Sequence, residues 1–290
     1  MKKLFLFLTL PLFLFYTSIA QDSITFPEDL EGWNTTWSAG ISGSQASYSN
    51  WSQGGVNNIA ATGRTTFTTV YTQNKFSYGF LFNSRYGKTK VQDEGVRKID
   101  DRLFILNRFL YDLGDEESDI KLFSNIKMRT QYDDGFRYGA GVDGSDIKIS
   151  GFFAPAYFNQ DVGVAYIPNE NFSAEAGLGL QQTYVKDRNL GPTYGLQDGE
   201  QWEFEAGFTI GSGFKTDIAA NLTYSGTLNT FTAFGKSVKS TDVQVSNALT
   251  GKINDFMNAS LSLDFVYDDD FSNELQIAQV LSLGVLFTIR

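Results

Sequence analysis

The stretch from Leu275 to Ile289 constrains this chain most. Alternate residues are Leu275, Ile277, Gln279, Leu281, Leu283, Val285, Phe287 and Ile289, all but one of them apolar. Between them lie Gln276, Ala278, Val280, Ser282, Gly284, Leu286 and Thr288, a mixed set of mostly small or polar residues. Side chains of a strand alternate between two faces, so this pattern means one greasy face and one mixed face. Strands of soluble sheets are usually about 5–6 residues long, and this run is about three times that. It stops one residue before the C-terminus, as the last strand of a transmembrane barrel does when it closes against the first.

The same alternation recurs upstream. Segments are expected at about 37–48, 58–72, 76–86, 98–111, 120–129, 147–167, 172–184, 202–210, 214–224, 243–253 and 257–267. With 275–289 they make an even set of about twelve. The segment at 76–86 is clean: Phe76, Tyr78, Phe80, Phe82 and Tyr86 alternate with Ser77, Gly79, Leu81, Asn83 and Arg85. In 98–111, Arg102 and Arg108 share a parity with Phe104 and Leu106, which leaves its facing open. In 147–167, Pro155 interrupts the run, because proline cannot donate to a ladder. Short turns are expected at 73–74, 114–118, 168–171, 211–213 and 254–255, and longer polar loops at 49–57, 88–97, 132–146, 185–201, 226–240 and 268–274. Short turns on one side and long loops on the other are the habit of outer-membrane barrels, and place both termini on the periplasmic side. The expected fold is all-β: a closed antiparallel transmembrane β-barrel of about 12 strands.

Charge sorts with parity. The apolar sets of seven segments hold no charged residue, and their opposite faces hold charges such as Arg85, Lys127, Glu203, Lys215 and Asp264. An arginine or lysine facing lipid at mid-membrane costs about 2–4 kcal/mol, which explains the sorting if the apolar face meets lipid. Aromatic residues bracket several apolar sets: Phe76 and Tyr86, Phe172 and Tyr184, Phe214 and Tyr224. They are expected to form the interfacial girdles of such a barrel.

Composition removes whole classes of function. The chain has no cysteine and no histidine, which excludes disulfides, thiolate metal sites, Ser-His or Cys-His catalysis and a histidine pH switch. A net charge of −10 argues against nucleic acid as a partner. Lys2 and Lys3, the apolar run from Leu4 to Tyr16, and Ser18 and Ala20 read as a signal peptide over 1–20. Residues 21–36 then read as a periplasmic N-terminal tail, and 37–290 as the barrel.

Four motifs stand out: Asn50-Trp51-Ser52-Gln53-Gly54-Gly55, Phe152-Phe153-Ala154-Pro155-Ala156-Tyr157, Ile167-Pro168-Asn169-Glu170-Asn171-Phe172, and Tyr267-Asp268-Asp269-Asp270. Together, across nearly all of the chain after the signal segment, they resemble the bacterial family catalogued as domain of unknown function 3078. The resemblance implies an outer-membrane β-barrel with no assigned activity, so it supplies no catalytic residue. One departure is the C-terminus. Outer-membrane barrels usually end in an aromatic residue, whereas Phe287 is followed here by Thr288-Ile289-Arg290.

Candidate functional residues lie on the polar face. Arg64, Arg85, Arg102, Arg108, Lys121, Lys127 and Arg129 would give one basic lumen wall. Asp161, Glu175, Glu203, Glu205, Asp217, Asp242 and Asp264 would give an acidic wall across from it, with Lys215 and Lys252 opposing. In a wet lumen the two walls set up a transverse field that orients dipolar solutes. Alternatively, the arginines reach across, pair with the acids and fill the bore. The motif Asn50, Trp51, Gly54 and Gly55 is a candidate ligand platform at the outer mouth, or a packing tryptophan. Asp133, Asp134, Asp143 and Asp146, with Asp268 to Asp270, could supply oxygen ligands for calcium, although no calcium-loop motif is present. Glu203 and Glu205, about 7 Å apart along one strand face, are the nearest approach to a glycosidase pair. The expectation is a non-enzymatic narrow channel or transporter for small polar or zwitterionic solutes in the bacterial outer membrane, with no metal and no cofactor. Outer-membrane lipid, the barrel-assembly machinery and a small solute are its expected partners. The alternatives are a structural or adhesive barrel with a salt-bridged lumen and, further off, an outer-membrane hydrolase.

Overall fold

The computed structural model describes residues 23–27, 29–47, 57–92, 94–114, 118–268 and 272–289. The signal segment 1–20, the motif Asn50 to Gly55, and Asp269 and Asp270 lie outside those residues. The strands are β1 (Gly32–Ala46), β2 (Asn58–Gln73), β3 (Phe76–Val91), β4 (Gly95–Asp112), β5 (Ile120–Thr130), β6 (Gly135–Arg137), β7 (Ile147–Ser150), β8 (Ala156–Asn169), β9 (Phe172–Tyr184), β10 (Trp202–Ala219), β11 (Leu222–Ala233), β12 (Asp242–Lys252), β13 (Met257–Asp268) and β14 (Ser272–Ile289). Twelve of them form a closed antiparallel barrel, and β6 and β7 make a separate hairpin in the connection between β5 and β8.

Closure runs through the stretch that alternates so strongly. β14 pairs with β13 on one side and with β1 on the other, from Trp37 opposite Ile289 to Ser42 opposite Gly284. Every apolar parity of the sequence faces outward. Phe204, Phe208, Ile277 and Leu281 are 68%, 59%, 61% and 56% exposed, a belt far larger than a water-facing surface tolerates. The mixed parity faces the lumen, where Leu81, Asn83, Arg85, Arg102, Phe104 and Arg108 are buried. Aromatic clusters ring both ends. Trp33, Tyr71, Tyr78 and Phe109 pack ring against ring near the short turns, and Phe158, Tyr184, Trp202 and Phe204 near the long loops.

Several boundaries differ from the sequence expectation. Gly211 to Gly213 are not a turn: β10 runs through them, and the chain reverses at Ala220 and Asn221. Gly211 and Gly213 face the lumen, and a Cβ added at Gly213 would stand 3.0 Å from Ser173 Oγ. The glycines therefore serve close lumen packing, not reversal. Because the true turn is two residues long, the facing on each side of it is unchanged. One consequence is that Phe214 and Tyr224 do not bracket a single strand. They sit on neighbouring strands, ring centroids 6.3 Å apart, at the same rim as Tyr166 and Phe172. Residues 226–233 belong to β11, and β3 and β4 extend to Val91 and Gly95, so two expected loops are shorter than their polarity implies. The segment 147–167 divides at Pro155: Ile147–Ser150 pairs with β6 outside the barrel, and β8 starts at Ala156.

Glycine occupies both sides of a close approach where β8 meets β9. Gly163 pairs with Gly177, and a Cβ at Gly163 would lie 2.2 Å from the Ala176 carbonyl oxygen. No side chain fits there without backbone movement.

The N-terminal residues also differ. β1 begins at Gly32, five residues before the expected start. Residues 23–27 and 29–31, within the expected N-terminal tail, enter the lumen at the short-turn end. Ile24 is 8% exposed and packs against Val70, Leu81, Phe104 and Leu106. Phe26 and Leu30 pack on the same cluster, and Phe26 also touches the group of Leu110, Phe123 and Ala165. This explains why Phe104 and Leu106 share a face with arginines: the interior there is apolar and covered from within. Burying a side chain such as Ile24 contributes about 1.5–3 kcal/mol.

The lumen as candidate functional site

The lumen combines a packed side and an open side. On the packed side, β2 to β5 carry the seven basic residues, and β4 adds Asp100 and Asp112 on the same parity. Arg85 Nε lies 3.5 Å from Asp100. The Lys121 ammonium donates to Asp112. Arg108 is the hub: it donates to Glu175 on β9 and, over 3.0 Å, to Asn125 Oδ1. Asn125 Nδ2 in turn donates to Asp161 at 2.6 Å, and Lys127 stands 3.4 Å from that carboxylate. The chain Glu175, Arg108, Asn125, Asp161, Lys127 thus ties β4, β5, β8 and β9 together across the interior. Arg129 lies over the Tyr157 ring at 4.7 Å, and Arg102 over Phe104 at 4.8 Å. Arg64 lies along the closure seam, its Nε 3.4 Å from where a Cβ on Gly40 would be, and this buried nitrogen has no hydrogen-bond partner among the described residues.

The acidic set is dispersed. Asp161 and Glu175 belong to the network just described. Glu205 pairs with Lys236 from the β11–β12 connection at 2.8 Å. Asp217 accepts from Thr223 Oγ1 at 2.6 Å next to a short turn. Asp264 is buried at 3% exposure, and it, Glu203 and Asp242 are likewise engaged with neighbours. Lys252 pairs with Asp255 in a short turn. The sequence missed Asp100, Asp112 and Lys236. The two aspartates were legible, since they share parity with Arg102 and Arg108; Lys236 sits in a loop, where parity says nothing.

The open side is a cavity of about 1480 Å³. It reaches from turn residues Asn74, Ser118 and Asn171 at one end to Tyr157, Tyr267 and Asp268 at the other. Along β10 to β12 its wall is mostly hydroxyl, amide and glycine: Thr209, Gly211, Thr223, Ser225, Thr227, Asn229, Gln244 and Thr250. Arg102, Arg108, Lys121, Lys127 and Arg129 face it from the basic set, and Asp161, Glu175 and Asp242 from the acidic set. Arg64, Arg85, Glu203, Glu205, Asp217 and Asp264 do not line it. A second cavity of about 200 Å³ continues toward the long loops, lined by Arg85, Asp100, Thr130 and Gln131, and shares Arg102, Arg129 and Tyr157 with the first.

At the long-loop end, two connections pack together. Gln131 Nε2 donates to the carbonyls of Gly151 and Ala154, and Thr130 Oγ1 to that of Pro155. Ala154, Val185, Leu190 and Leu196 form a small core beside the 3₁₀ helix Arg188–Tyr194. Tyr194 donates to the Ile149 carbonyl at 2.7 Å, and burial pushes its hydroxyl pKa well up. The loop aspartates are occupied within the loops. Asp133 accepts from Tyr86 at 2.7 Å, a bond that, with the Asp134 amide and Lys88, holds its carboxyl below the usual range. Asp134 pairs with Lys148, and Asp143 and Asp146 accept from loop amides. No group of three or more acidic side chains able to hold a metal occurs among the described residues.

Residues 44–136 match the model of the family described as a protein of unknown function (DUF3078). That span holds the Asn50 to Gly55 motif, while the other three motifs lie beyond it. No curated protein matches the chain. Among solved structures, the chain is similar to the translocator domain of the autotransporter NalP from Neisseria meningitidis, at 11% identity over 91% of this chain and 90% of that one, with a TM-score of 0.40. It is also similar to the KdgM porin in complex with disordered oligogalacturonate, at 7% identity over 89% of this chain and 100% of that one, TM-score 0.39. A third is the beta domain of the Bordetella autotransporter BrkA, at 14% identity over 89% and 99%, TM-score 0.38.

Proposed function

We propose that this chain is an integral outer-membrane β-barrel that passes small polar solutes, uncharged or zwitterionic, along one side of its lumen. The observation that carries the reading is the continuous cavity of about 1480 Å³ beside a wall of hydroxyl, amide and glycine residues. Such a wall exchanges hydrogen bonds with a solute without holding it by charge, which lets it enter and leave. The outward apolar belt and its aromatic rims support a bilayer as the surroundings. The basic side serves mainly as structure, because Arg85, Arg108, Lys121 and Lys127 are matched by carboxylates and Arg102 and Arg129 lie over aromatic rings. The transverse field anticipated from the sequence is therefore weaker than a count of charges implies. We read the protein as non-enzymatic: Glu205 is tied to Lys236 at 2.8 Å, and the Glu203 and Glu205 pair is not set out as a separate acid and base of the kind glycoside hydrolysis needs.

The Glu175 to Lys127 network favours a second reading, a filled barrel with a structural role. Proteoliposome uptake separates the two. Purified folded protein should admit small neutral sugars and zwitterionic amino acids faster than multiply charged anions of similar size. Uptake no faster than in protein-free vesicles would leave the filled barrel standing.

A further inference from the structure

We infer that the N-terminal segment, residues 23–27 and 29–31, is an internal gate of this lumen, an inference that rests on the channel reading above. Its apolar side chains Ile24, Phe26 and Leu30 are seated on lumen-facing residues of β2 to β5 at the short-turn mouth. It also borders the large cavity, since Ser23, Thr25, Pro27, Asp29 and Glu31 line that space directly. The segment thus narrows the path open to a solute at that end.

The manner of its attachment marks it as a displaceable part. Among the described residues, its only hydrogen bond is internal, from the Leu30 amide to the Pro27 carbonyl at 3.3 Å. Among the described residues, no hydrogen bond or ion pair joins residues 23–27 or 29–31 to the wall. The connections at the opposite mouth are held differently, by bonds from Thr130, Gln131, Tyr194 and Gln201 to backbone carbonyls. Apolar contacts are non-directional, so residues seated by them can slide or leave without stranding polar partners. The wall it covers would then face an aqueous bore through Val70, Leu81, Phe104 and Leu106. The segment runs directly into β1 at Gly32, so release leaves it tethered to the rim and able to return.

Gly79 provides the means of testing this. A Cβ at Gly79 would lie 2.7 Å from Ile24 Cγ2, so cysteines at the two positions fall within disulfide reach. The chain has no cysteine of its own. Ile24→Cys combined with Gly79→Cys in the full chain should form an intramolecular disulfide under mild oxidation, and failure to form it would show that the segment does not dock. Conductance in planar bilayers then reads the gate. It should be lower with the disulfide closed than after reduction, and highest, by roughly twofold or more over the native chain, when the segment is released. Release is made in two ways: by deleting residues 23–30, and by the milder triple change Ile24→Ser, Phe26→Ser and Leu30→Ser, which keeps chain length. Equal conductance in the native, locked and released proteins would overturn the gate while the channel stands. If none of them conducts, the channel reading fails and the gate falls with it.

Discussion

Arg108→Met is expected to destabilise the folded barrel by about 3–5 kcal/mol, the usual cost of removing one partner from a buried charge pair. Arg108 is 11% exposed in its side chain and Glu175 16%, and the same guanidinium also holds Asn125. Its loss leaves Glu175 uncompensated and frees Asn125 from one side. Adding Glu175→Leu should recover most of the stability, since replacing a buried pair with apolar groups of similar size is often near neutral. Urea unfolding of the protein refolded into lipid vesicles measures both. A single variant as stable as the parent would mean that water reaches the pair and that the packed side of the lumen is not packed.

The second large effect concerns facing. Leu228→Arg places a cation on the outward face of β11, where it should cost about 2–4 kcal/mol near mid-membrane. Asn229→Arg, one residue along and exposed to the cavity, should cost far less. Both sit mid-strand between the same neighbours, so strand propensity and register are held constant. The folded fraction in vesicles of defined thickness reads the difference. Equal losses would put the wrong face toward lipid.

The barrel was legible because its two solvents differ so sharply. Lipid outside and a polar lumen inside sort residues at period two, and the sorting survives a misplaced turn: at Gly211 to Gly213 the boundary was wrong by several residues, yet Phe214 and Leu222 still face out. Turns were harder, because glycine serves both reversal and close packing. The Gly-Ser-Gly run beside Ser173 packs, whereas Ala220 and Asn221, an unremarkable pair, reverse the chain. Loop lengths were overestimated at Lys88 to Arg97 because strands that rise above the membrane meet water and look polar.

The candidate site was read less completely, for a different reason. Parity tells which residues face the lumen and nothing about how far they reach. Glu175 and Asp217 look alike in sequence; one is drawn into the Arg108 network and the other bonds Thr223 at a turn. The N-terminal residues illustrate a missed signal. Ile24, Phe26 and Leu30 are apolar residues in a polar leader, and Leu81, Phe104, Leu106 and Phe123 are apolar residues on charged faces. Each set lacks a partner until the other is placed against it.

The open bore is tested most directly by single-channel conductance of Thr227→Trp against Leu228→Trp. Thr227 faces the cavity from β11 and Leu228 faces outward from the same strand. An open lumen requires that the indole at 227 lower the conductance and slow neutral-solute passage, while the indole at 228, lying in lipid, leaves both unchanged. Identical conductance in the two variants, or none in the parent protein, would contradict a solute path along this wall.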